Sequence, residues 1–177
     1  LSRRQRQMCI RDRKEVSIME EKTNVMRILE QKKIKYTAHS YINTDAVSGV
    51  DVAAALNENP DKVFKTLVTE ANNHEHYVFV IPSLMTLDLK KAAKAAGVKS
   101  ISLIHQKELL PLTGYIHGGC SPIGMKKLFP TFIDETAILY DAIVFSAGKR
   151  GLQVELPVQE LCTLIGAKLA DISSETK

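Results

Sequence analysis

The sequence predicts an α+β fold, a mixed sheet flanked by helices, in a single domain. Helical and strand-like segments alternate along the chain, which favours helices packed against a sheet. Hairpin signals occur among them, so a purely parallel, doubly wound sheet is not expected. The 177 residues are 45% hydrophobic and 25% charged and carry no internal repeat or linker, as suits one globular core.

The first half of the chain predicts a helix, a strand, a second helix and a hairpin. Apolar residues recur on one side of a helix that begins at Thr23 and closes at Lys32 and Lys33. A strand over 34–37 leads into a loop that begins at Tyr41. After a pattern resembling a capping box, we expect a helix over 52–56 and strands over 63–70 and 76–81, joined at Asn72 and Asn73.

The second half predicts further helices between short strands. An alanine-rich helix over 87–96 ends at Gly97, the residue type preferred just past a helix C-terminus. Pro157 suits the first turn of a last helix that ends near Gly166. The other expected elements are strands over 98–103, 131–134, 142–145 and 152–156, a short helix over 106–110 and an edge segment over 168–172.

The positive charge of the chain is concentrated at its start. Residues 1–14 hold six basic residues and one acidic residue, whereas the rest of the chain holds 18 basic and 19 acidic residues. We expect residues 1–18 to be a basic leader, artefactual or disordered, ahead of a folded domain over 19–177. A mitochondrial presequence and a nucleic-acid-binding arm are the alternatives for the leader.

Several classes of protein are excluded by composition. No apolar run approaches the roughly 18 residues of a membrane span. The cysteines Cys9, Cys120 and Cys162 form no Cys-x-x-Cys pair, which fits a reducing cytoplasm and no disulfide framework. His74 and His76 have no third ligand at a recognised spacing, so we expect no metal and no cofactor.

Lys65 is the first candidate for a functional residue. In an alternating strand it shares a face with Val63 and Leu67. Its side chain is either at the sheet edge with the ammonium in water, or in a cleft. A partly desolvated ammonium in a cleft would attract a phosphate or a carbonyl oxygen.

The segment 118–124 is the second candidate, with three glycines and a proline in seven residues. Its backbone N–H groups could bind an oxyanion or a phosphate, although such segments are often plain turns. It is not a P-loop, because no Gly-Lys-Ser/Thr sequence follows. Cys120 could be a nucleophile activated by His117, but two residues so close in a bent loop need not face each other. We favour Cys120 as a small packing residue.

Basic pairs form the third candidate. Lys149 and Arg150 lie in a turn between two expected strands, and Lys126 and Lys127 directly follow the glycine-rich segment. Each pair is either a solvated surface or a contact to RNA phosphate. Together they would form a positive rim on one side of the domain.

Five segments occur in order along the chain: 63–68, 89–93, 113–115, 118–124 with Lys126 and Lys127, and 146–152. Together they resemble the YbaK/EbsC family of Cys-tRNA(Pro)/Cys-tRNA(Cys) deacylases, which is related to the editing domain of prolyl-tRNA synthetases. The similarity runs from about Lys22 to Ile172. It implies a mixed, partly barrel-like sheet whose cleft takes the 3′-terminal adenosine bearing the amino acid.

The resemblance also implies roles for individual residues. Lys65, Gly118 and Gly119 would be catalytic, with the two glycine backbones holding the ester. Gln153 stands where family members often carry Asp or Ser, and the sequence assigns it no role. The implied substrate-binding residues are Tyr41, Phe64, Cys120, Ser121, Pro122, Ser146 and Gly148, and the implied tRNA-binding residues are Lys126, Lys127, Lys149 and Arg150.

The implied reaction is release of cysteine from mischarged Cys-tRNA(Pro), and also from Cys-tRNA(Cys), by attack of the substrate's own thiol on its ester carbonyl. An Ala-tRNA(Pro) deacylase of the same superfamily and a non-catalytic tRNA- or synthetase-binding module are the alternatives. A nearly neutral body predicts weak affinity for tRNA alone. We therefore expect action beside prolyl-tRNA synthetase in the cytoplasm, with the oligomeric state left open.

Overall fold

The computed structural model describes residues 22–41, 51, 54 and 59–176. The leader expected over 1–18 and most of the helix expected over 52–56 lie outside these residues, although Asp51 and Ala54 are helical. Over the described residues the chain forms the helices α1 (Asn24–Gln31), α2 (Leu89–Ala96), α3 (Gln106–Thr113) and α4 (Val158–Ile165). Two short 3-10 helices lie at Pro60–Lys62 and Glu135–Leu139.

Ten strands in three sheets are seen within the described residues. A five-stranded sheet has the order β5-β2-β3-β6-β9, a three-stranded sheet the order β1-β8-β7, and a small sheet pairs β10 with β4. The strands are β1 (Thr37–Ser40), β2 (Phe64–Ala71), β3 (His76–Pro82), β4 (Met85–Leu87), β5 (Ile101–Leu103), β6 (Thr131–Asp134), β7 (Ile143–Ser146), β8 (Leu152–Leu156), β9 (Lys168–Ala170) and β10 (Ser173–Glu175).

The five-stranded sheet is mixed, which confirms the fold class expected from the sequence. Strand β2 runs antiparallel to β3 and β5, whereas β6 runs parallel to β3 and β9. The expected hairpin is confirmed, because β2 and β3 are consecutive strands that pair antiparallel. The described strands form separate sheets that do not close into a barrel. One isolated parallel bridge, between Val63 and Val144, links the two larger sheets.

Both faces of strand β3 are buried, so this strand is the centre of the core. Val80 packs with α1, α4 and the inner faces of β7 and β8 in one cluster. Phe79 and Ile81 pack with α2 in another, where the Phe79 ring stacks on Phe132 with 5.6 Å between ring centroids. Burial of apolar side chains of this size, at roughly 1.5–3 kcal/mol each, is the main force that holds helices on both faces of the sheet.

Local signals explain where the helices begin and end. Asp88 caps α2 by accepting hydrogen bonds from Lys90 N and Lys91 N, and Gly97 closes it in the left-handed conformation at φ 71°. Helix α3 extends three residues beyond its expected end at Leu110, through Pro111. Its last turn is held by the Thr113 hydroxyl, which donates to the Leu109 carbonyl at 2.7 Å.

Some elements differ from the sequence expectation at their edges. The strand expected over 34–37 lies at Thr37–Ser40, and the one expected over 98–103 is limited to Ile101–Leu103. Strands β4 and β10 were missed. They are three residues each, and they pair with each other from distant parts of the chain, from Met85↔Glu175 to Leu87↔Ser173. Periodicity within so short a segment carries no signal.

A gap opens where the two larger sheets diverge. Strand β5 pairs with β2 only from Thr69 to Ala71, so the first half of β2 has no neighbour from β5. At its other end β2 meets the second sheet through the bridge at Val63. The candidate site lies along the exposed edge between these points.

Candidate functional site

A cavity of about 320 Å³ lies between the start of β2, the ends of β7 and β8, and the glycine-rich segment. Its volume is within the usual range for small-molecule sites. Six of the residues that the sequence singled out line it: Tyr41, Phe64, Lys65, Gly118, Cys120 and Ser146. The sequence did not single out Val63, Thr66, Leu67, Ser83 and Leu109. It weighed His117 as a base for Cys120 and assigned Gln153 no role, and both also line the cavity.

Lys65 faces this cavity, which decides between the two placements considered above. Its side chain is half-buried, and its Nζ donates to the Ser83 carbonyl at 3.3 Å. Desolvation by burial lowers the pKa of Lys65 below its ordinary value of 10.5. Within the described residues no carboxylate pairs with this ammonium, so its donors are available to an oxygen of a ligand.

Gly118 and Gly119 lie in a tight turn that begins at Ile116. The Gly119 N–H donates to the Ile116 carbonyl at 3.0 Å, and Gly118 occupies the third position of the turn with a φ of 85°. A positive φ at that position strongly favours glycine. Gly118 lines the cavity, and its N–H has no hydrogen-bond partner within the described part of the chain. The Gly119 N–H, in contrast, is already engaged.

Gly119 instead permits a close approach of two backbones. A Cβ added there would lie 3.0 Å from Arg150 N and 3.3 Å from Lys149 C. These atoms belong to the turn between β7 and β8, and backbone cannot shift as cheaply as a flexible side chain. The contact therefore fixes the glycine-rich segment against that turn.

The rest of the glycine-rich segment is held by Tyr115 and Ser121. The Tyr115 hydroxyl donates to the Ile123 carbonyl, and the buried Ser121 Oγ accepts from Ile123 N at 3.3 Å. A Cβ added at Gly148 would meet the Tyr115 ring at 2.9 Å. Gly148 and Ser121 therefore shape the loop without lining the cavity, and Pro122 lines a separate small pocket of about 70 Å³.

Cys120 is a wall residue of the cavity with a neutral thiol. It is 9% exposed, and burial raises the pKa of its thiol to about 12. A nucleophilic cysteine requires the thiolate, which this environment disfavours. Within the described residues, no hydrogen bond joins Cys120 to His117.

Gln153 and Thr66 line the same cavity, and each carries a buried side-chain oxygen without a hydrogen-bond partner among the described residues. Along β8, Leu152 and Val154 point into the core, so Gln153 points to the other face, opposite Ser146 on β7. Gln153 is 6% exposed, yet its Oε1 has no hydrogen-bond partner among the described residues, and the same holds for Thr66 Oγ1. A buried unpaired polar atom costs about 1–3 kcal/mol, so two such atoms in residues that line one cavity require an explanation.

A charged cluster lies on the same face of β8 as Gln153, outside the cavity lining. The Glu155 carboxylate pairs with Lys62 and lies 3.3 Å from the His39 ring. Desolvation raises the pKa of Glu155, but the hydrogen bonds from Lys62 and His39 outweigh it and hold the pKa below its ordinary value. Among the described residues, those that line the cavity include one ammonium and no carboxylate.

The four basic residues of the expected rim are exposed, and they differ in their distance from the cavity. Arg150 lies beside Gly118, since a Cβ added at Gly118 would be 3.1 Å from Arg150 Nε. Lys126 packs along Gly114, and Lys127 lies 5.9 Å from the centroid of the Phe129 ring. Lys149 shares the Arg150 turn. The structure therefore places Arg150 beside the cavity residue Gly118 and leaves Lys126 and Lys127 on the outer surface.

Two other kinds of feature were searched for in the described residues. They contain no group of three or more His, Cys, Asp or Glu side chains placed to hold a metal ion. None of their helices has the length and apolarity needed to cross a bilayer.

With this geometry in view, the comparisons with known proteins identify the family. The model of the aminoacyl-tRNA editing domain matches residues 44–164, more than half of the chain. The chain belongs to this family. A protein of Enterococcus faecalis, named "Putative Cys-tRNA(Pro)/Cys-tRNA(Cys) deacylase EbsC", is 46% identical over 157 residues, which cover 88% of this chain and 96% of that protein. The family resemblance seen in the sequence is confirmed.

Solved structures agree with the fold. A hypothetical protein, APE2540, superimposes with a TM-score of 0.79 at 22% identity, covering 86% of this chain and all of that chain. A second structure, described as "a putative trans-editing enzyme for prolyl tRNA synthetase", has a TM-score of 0.73 at 23% identity and covers 86% of this chain and 98% of that chain. At such identities the likeness establishes the architecture.

Proposed function

We propose that this aminoacyl-tRNA editing domain is a trans-editing deacylase that releases cysteine from mischarged Cys-tRNA(Pro), and also from Cys-tRNA(Cys). One observation carries the proposal most directly. Among the described residues, the cavity is lined by the Lys65 ammonium and by Gly118, whose N–H has no hydrogen-bond partner there, while burial holds the Cys120 thiol neutral. Such a site is suited to a substrate that brings its own nucleophile.

The reaction that fits this site is intramolecular. The cysteine thiol of the substrate loses its proton, and its sulfur attacks the ester carbonyl of the same residue. The bond from the carbonyl carbon to the ribose oxygen breaks, the ribose oxygen takes up the proton, and a cyclic thioester leaves and is opened by water. Holding the aminoacyl group in the reactive conformation supplies the high effective concentration of an intramolecular attacker.

The chain's own contribution is to orient the ester and stabilise the oxyanion. The Lys65 ammonium and the Gly118 N–H are the donors, and one well-placed donor contributes on the order of 3 kcal/mol to the transition state. Gly119 acts through position, because its N–H is engaged by Ile116 and its lack of a side chain admits Arg150 N.

The remaining residues divide between wall, loop and surface. Tyr41, Phe64, Cys120 and Ser146 bind the substrate as the cavity wall, and Gln153 and Thr66 accept hydrogen bonds from donors of the aminoacyl group or ribose. The loop shape comes from Ser121, Pro122 and Gly148. Phosphate contacts to tRNA come from Lys126, Lys127, Lys149 and Arg150.

Selectivity follows from the same chemistry. A pocket shaped for cysteine cannot strongly reject serine or alanine by binding alone, since one missing group is worth about 1–3 kcal/mol. A reaction that uses the substrate thiol excludes both, because neither carries one.

The partners follow from charge. Outside residues 1–14 the chain is nearly neutral, and non-specific binding to tRNA depends on phosphate contacts. The enzyme therefore acts on tRNA presented by prolyl-tRNA synthetase in the cytoplasm. Tight capture of tRNA without synthetase would contradict this part of the proposal.

The test is a deacylation assay of the full chain on Cys-tRNA(Pro), Ala-tRNA(Pro) and Ser-tRNA(Pro). We expect release of cysteine alone. Release of alanine alone would support the alternative alanyl enzyme, and no release would support a non-catalytic binding module. As a matched control for the mechanism, S-methylcysteinyl-tRNA(Pro) keeps the sulfur but lacks the S–H nucleophile. Its release at the cysteinyl rate would exclude substrate-thiol attack.

A further inference from the structure

A second cavity, of about 240 Å³, adjoins the first along β2. The two share four lining residues: Thr66, Leu67, Leu109 and His117. They are therefore neighbouring compartments of one cleft, and consecutive units of a chain-like ligand can occupy them.

This compartment is open because β5 leaves part of the edge of β2 uncovered. The Val63 carbonyl accepts from Ser83 N and the Ala71 N–H donates to the Glu75 carbonyl, each at 2.8 Å, so odd-numbered residues of β2 bond towards β3. Backbone direction alternates along a strand, so Thr66 N–H and C=O face the cleft. Strand β5 pairs with β2 only from Thr69 to Ala71, so it does not reach these two groups.

This free edge is too short to pair with another strand. The parallel bridge between Val63 and Val144 bounds it on one side, and the bond from Ile104 N to the Val68 carbonyl, at 3.3 Å, bounds it on the other. Between them, in the part of the chain that the structure describes, Thr66 directs both its N–H and its C=O to the side where β5 is missing. Strand addition needs a run of such pairs, whereas one planar ligand edge needs a single pair.

The side chains of the compartment suit a planar, apolar-faced group. Leu103 is 54% exposed and stands beside Ile104, and two exposed imidazoles, His105 and His117, flank them. None of the lining residues is acidic, which removes a source of repulsion for a polyanion. Nucleobases stack on flat apolar and imidazole surfaces, and single-stranded nucleic acid is bound in this way.

We infer that the second cavity binds the nucleotide that precedes the terminal adenosine in the acceptor strand, with its base against Leu103 and its edge at Thr66. The inference rests on the proposed function, because it places the aminoacyl-adenosine in the first cavity. A cytidine in the second compartment fixes the direction in which the strand leaves the cleft and contributes binding that a lone aminoacyl nucleoside lacks.

Binding of unacylated ligands to the full chain tests this separately from catalysis. Calorimetric titration compares the dinucleotide CpA with an abasic analogue that lacks only the cytosine. We expect CpA to bind at least about fivefold more tightly, the lower end of what one stacked base contributes. Leu103→Asp should abolish that difference. Leu110→Asp, a matched change at a leucine that is 50% exposed and lines neither cavity, should keep it.

Kinetics on cysteinyl esters complete the test. The cysteinyl ester of CpA should exceed that of adenosine in kcat/KM, and Leu103→Asp should remove the advantage while the adenosine ester reacts as before. Equal loss on both esters would overturn the inference and place the terminal adenine in the second cavity. Equal binding of CpA and its abasic analogue, or capture of an extended Val-Thr-Val-Thr peptide in place of CpA, would overturn it too. If no ester reacts but the binding pattern holds, the proposed function fails and the nucleotide site stands.

Discussion

Two buried polar residues, Asp134 and Gln153, have opposite surroundings. Asp134 is 1% exposed, and its Oδ1 accepts from Ile172 N and Ser173 N at 3.2 and 3.1 Å. Its Oδ2 accepts from Thr136 N and from Thr136 Oγ1 at 3.3 and 2.6 Å. Gln153 is 6% exposed, and its Oε1 has no partner in the described part of the chain.

The contrast separates a structural polar group from a candidate binding group. Burial of a polar side chain is tolerated when its hydrogen bonds are complete, and Asp134 ties β6 to the segment before β10 in that way. For the incomplete set of Gln153, in a residue that lines a cavity, our proposal is that a ligand supplies the missing donor. The polar residues of this fold are therefore distinguished by their partners more than by their burial.

The largest expected effect on stability comes from the complete network. Asp134→Ala removes four accepted hydrogen bonds and leaves buried donors unpaired, so the free energy of unfolding should fall by roughly 3–5 kcal/mol. Urea denaturation measures it. Asp171→Ala, at an exposed carboxylate paired with Lys91 at 3.1 Å, is the control and should cost under about 1 kcal/mol. Similar losses in both variants would erase the contrast.

Lys65→Met should affect activity and stability in opposite directions. Loss of an oxyanion donor should lower kcat/KM roughly hundredfold. Because burial lowers the pKa of Lys65, the charged lysine destabilises the folded state. This destabilisation is complete at pH values below the folded pKa, and it disappears at pH values above the unfolded pKa of 10.5. At pH 7 the variant should thus unfold at higher urea concentration. Lys168→Met, at an exposed lysine in β9 at the far sheet edge, should change neither quantity, and equal loss of activity there would remove Lys65 from the site.

Gln153→Leu sharpens the comparison with Asp134. The change removes an unsatisfied amide, so the free energy of unfolding should stay level or rise, while kcat/KM falls about tenfold through loss of one hydrogen bond to the substrate. Thermal unfolding and the deacylation assay report the two effects. Gln159→Leu, at an exposed position in α4, is the matched control. A strongly destabilised Gln153→Leu would mean that the amide is a structural group like Asp134.

Cys120→Ala should have the smallest effect. Its thiol has a pKa of about 12 because of burial, so no thiolate is available near neutral pH, and we expect kcat/KM to stay within about threefold. Alkylation by iodoacetamide at pH 8 should be slow for the same reason. A loss of a hundredfold or more would restore Cys120 as a nucleophile and refute the proposed mechanism.

Sequence patterns predicted the long elements well. The alternation and hairpin signals predicted β2 and β3. Asp88 and Gly97 mark the start and the end of helix α2, because capping depends on residues only a few positions apart. The Gln153 position also carried a signal that was not used: in Leu152–Leu156, polar and apolar residues alternate, which predicts a polar face. No comparable signal existed for Ser83, which contributes a backbone carbonyl.

The sequence by itself determined the α+β class, the main strands and helices, the glycine-rich turn and the family, because these depend on periodicity, capping and motifs that are local in the chain. The tertiary structure decided which groups are satisfied. Lys65 faces a cavity because β5 stops short on β2, the Gly119 N–H is engaged by its own turn, and Gln153 Oε1 receives no hydrogen bond from any described residue. Each depends on segments distant in sequence or on the path of a turn, which residue types alone do not specify.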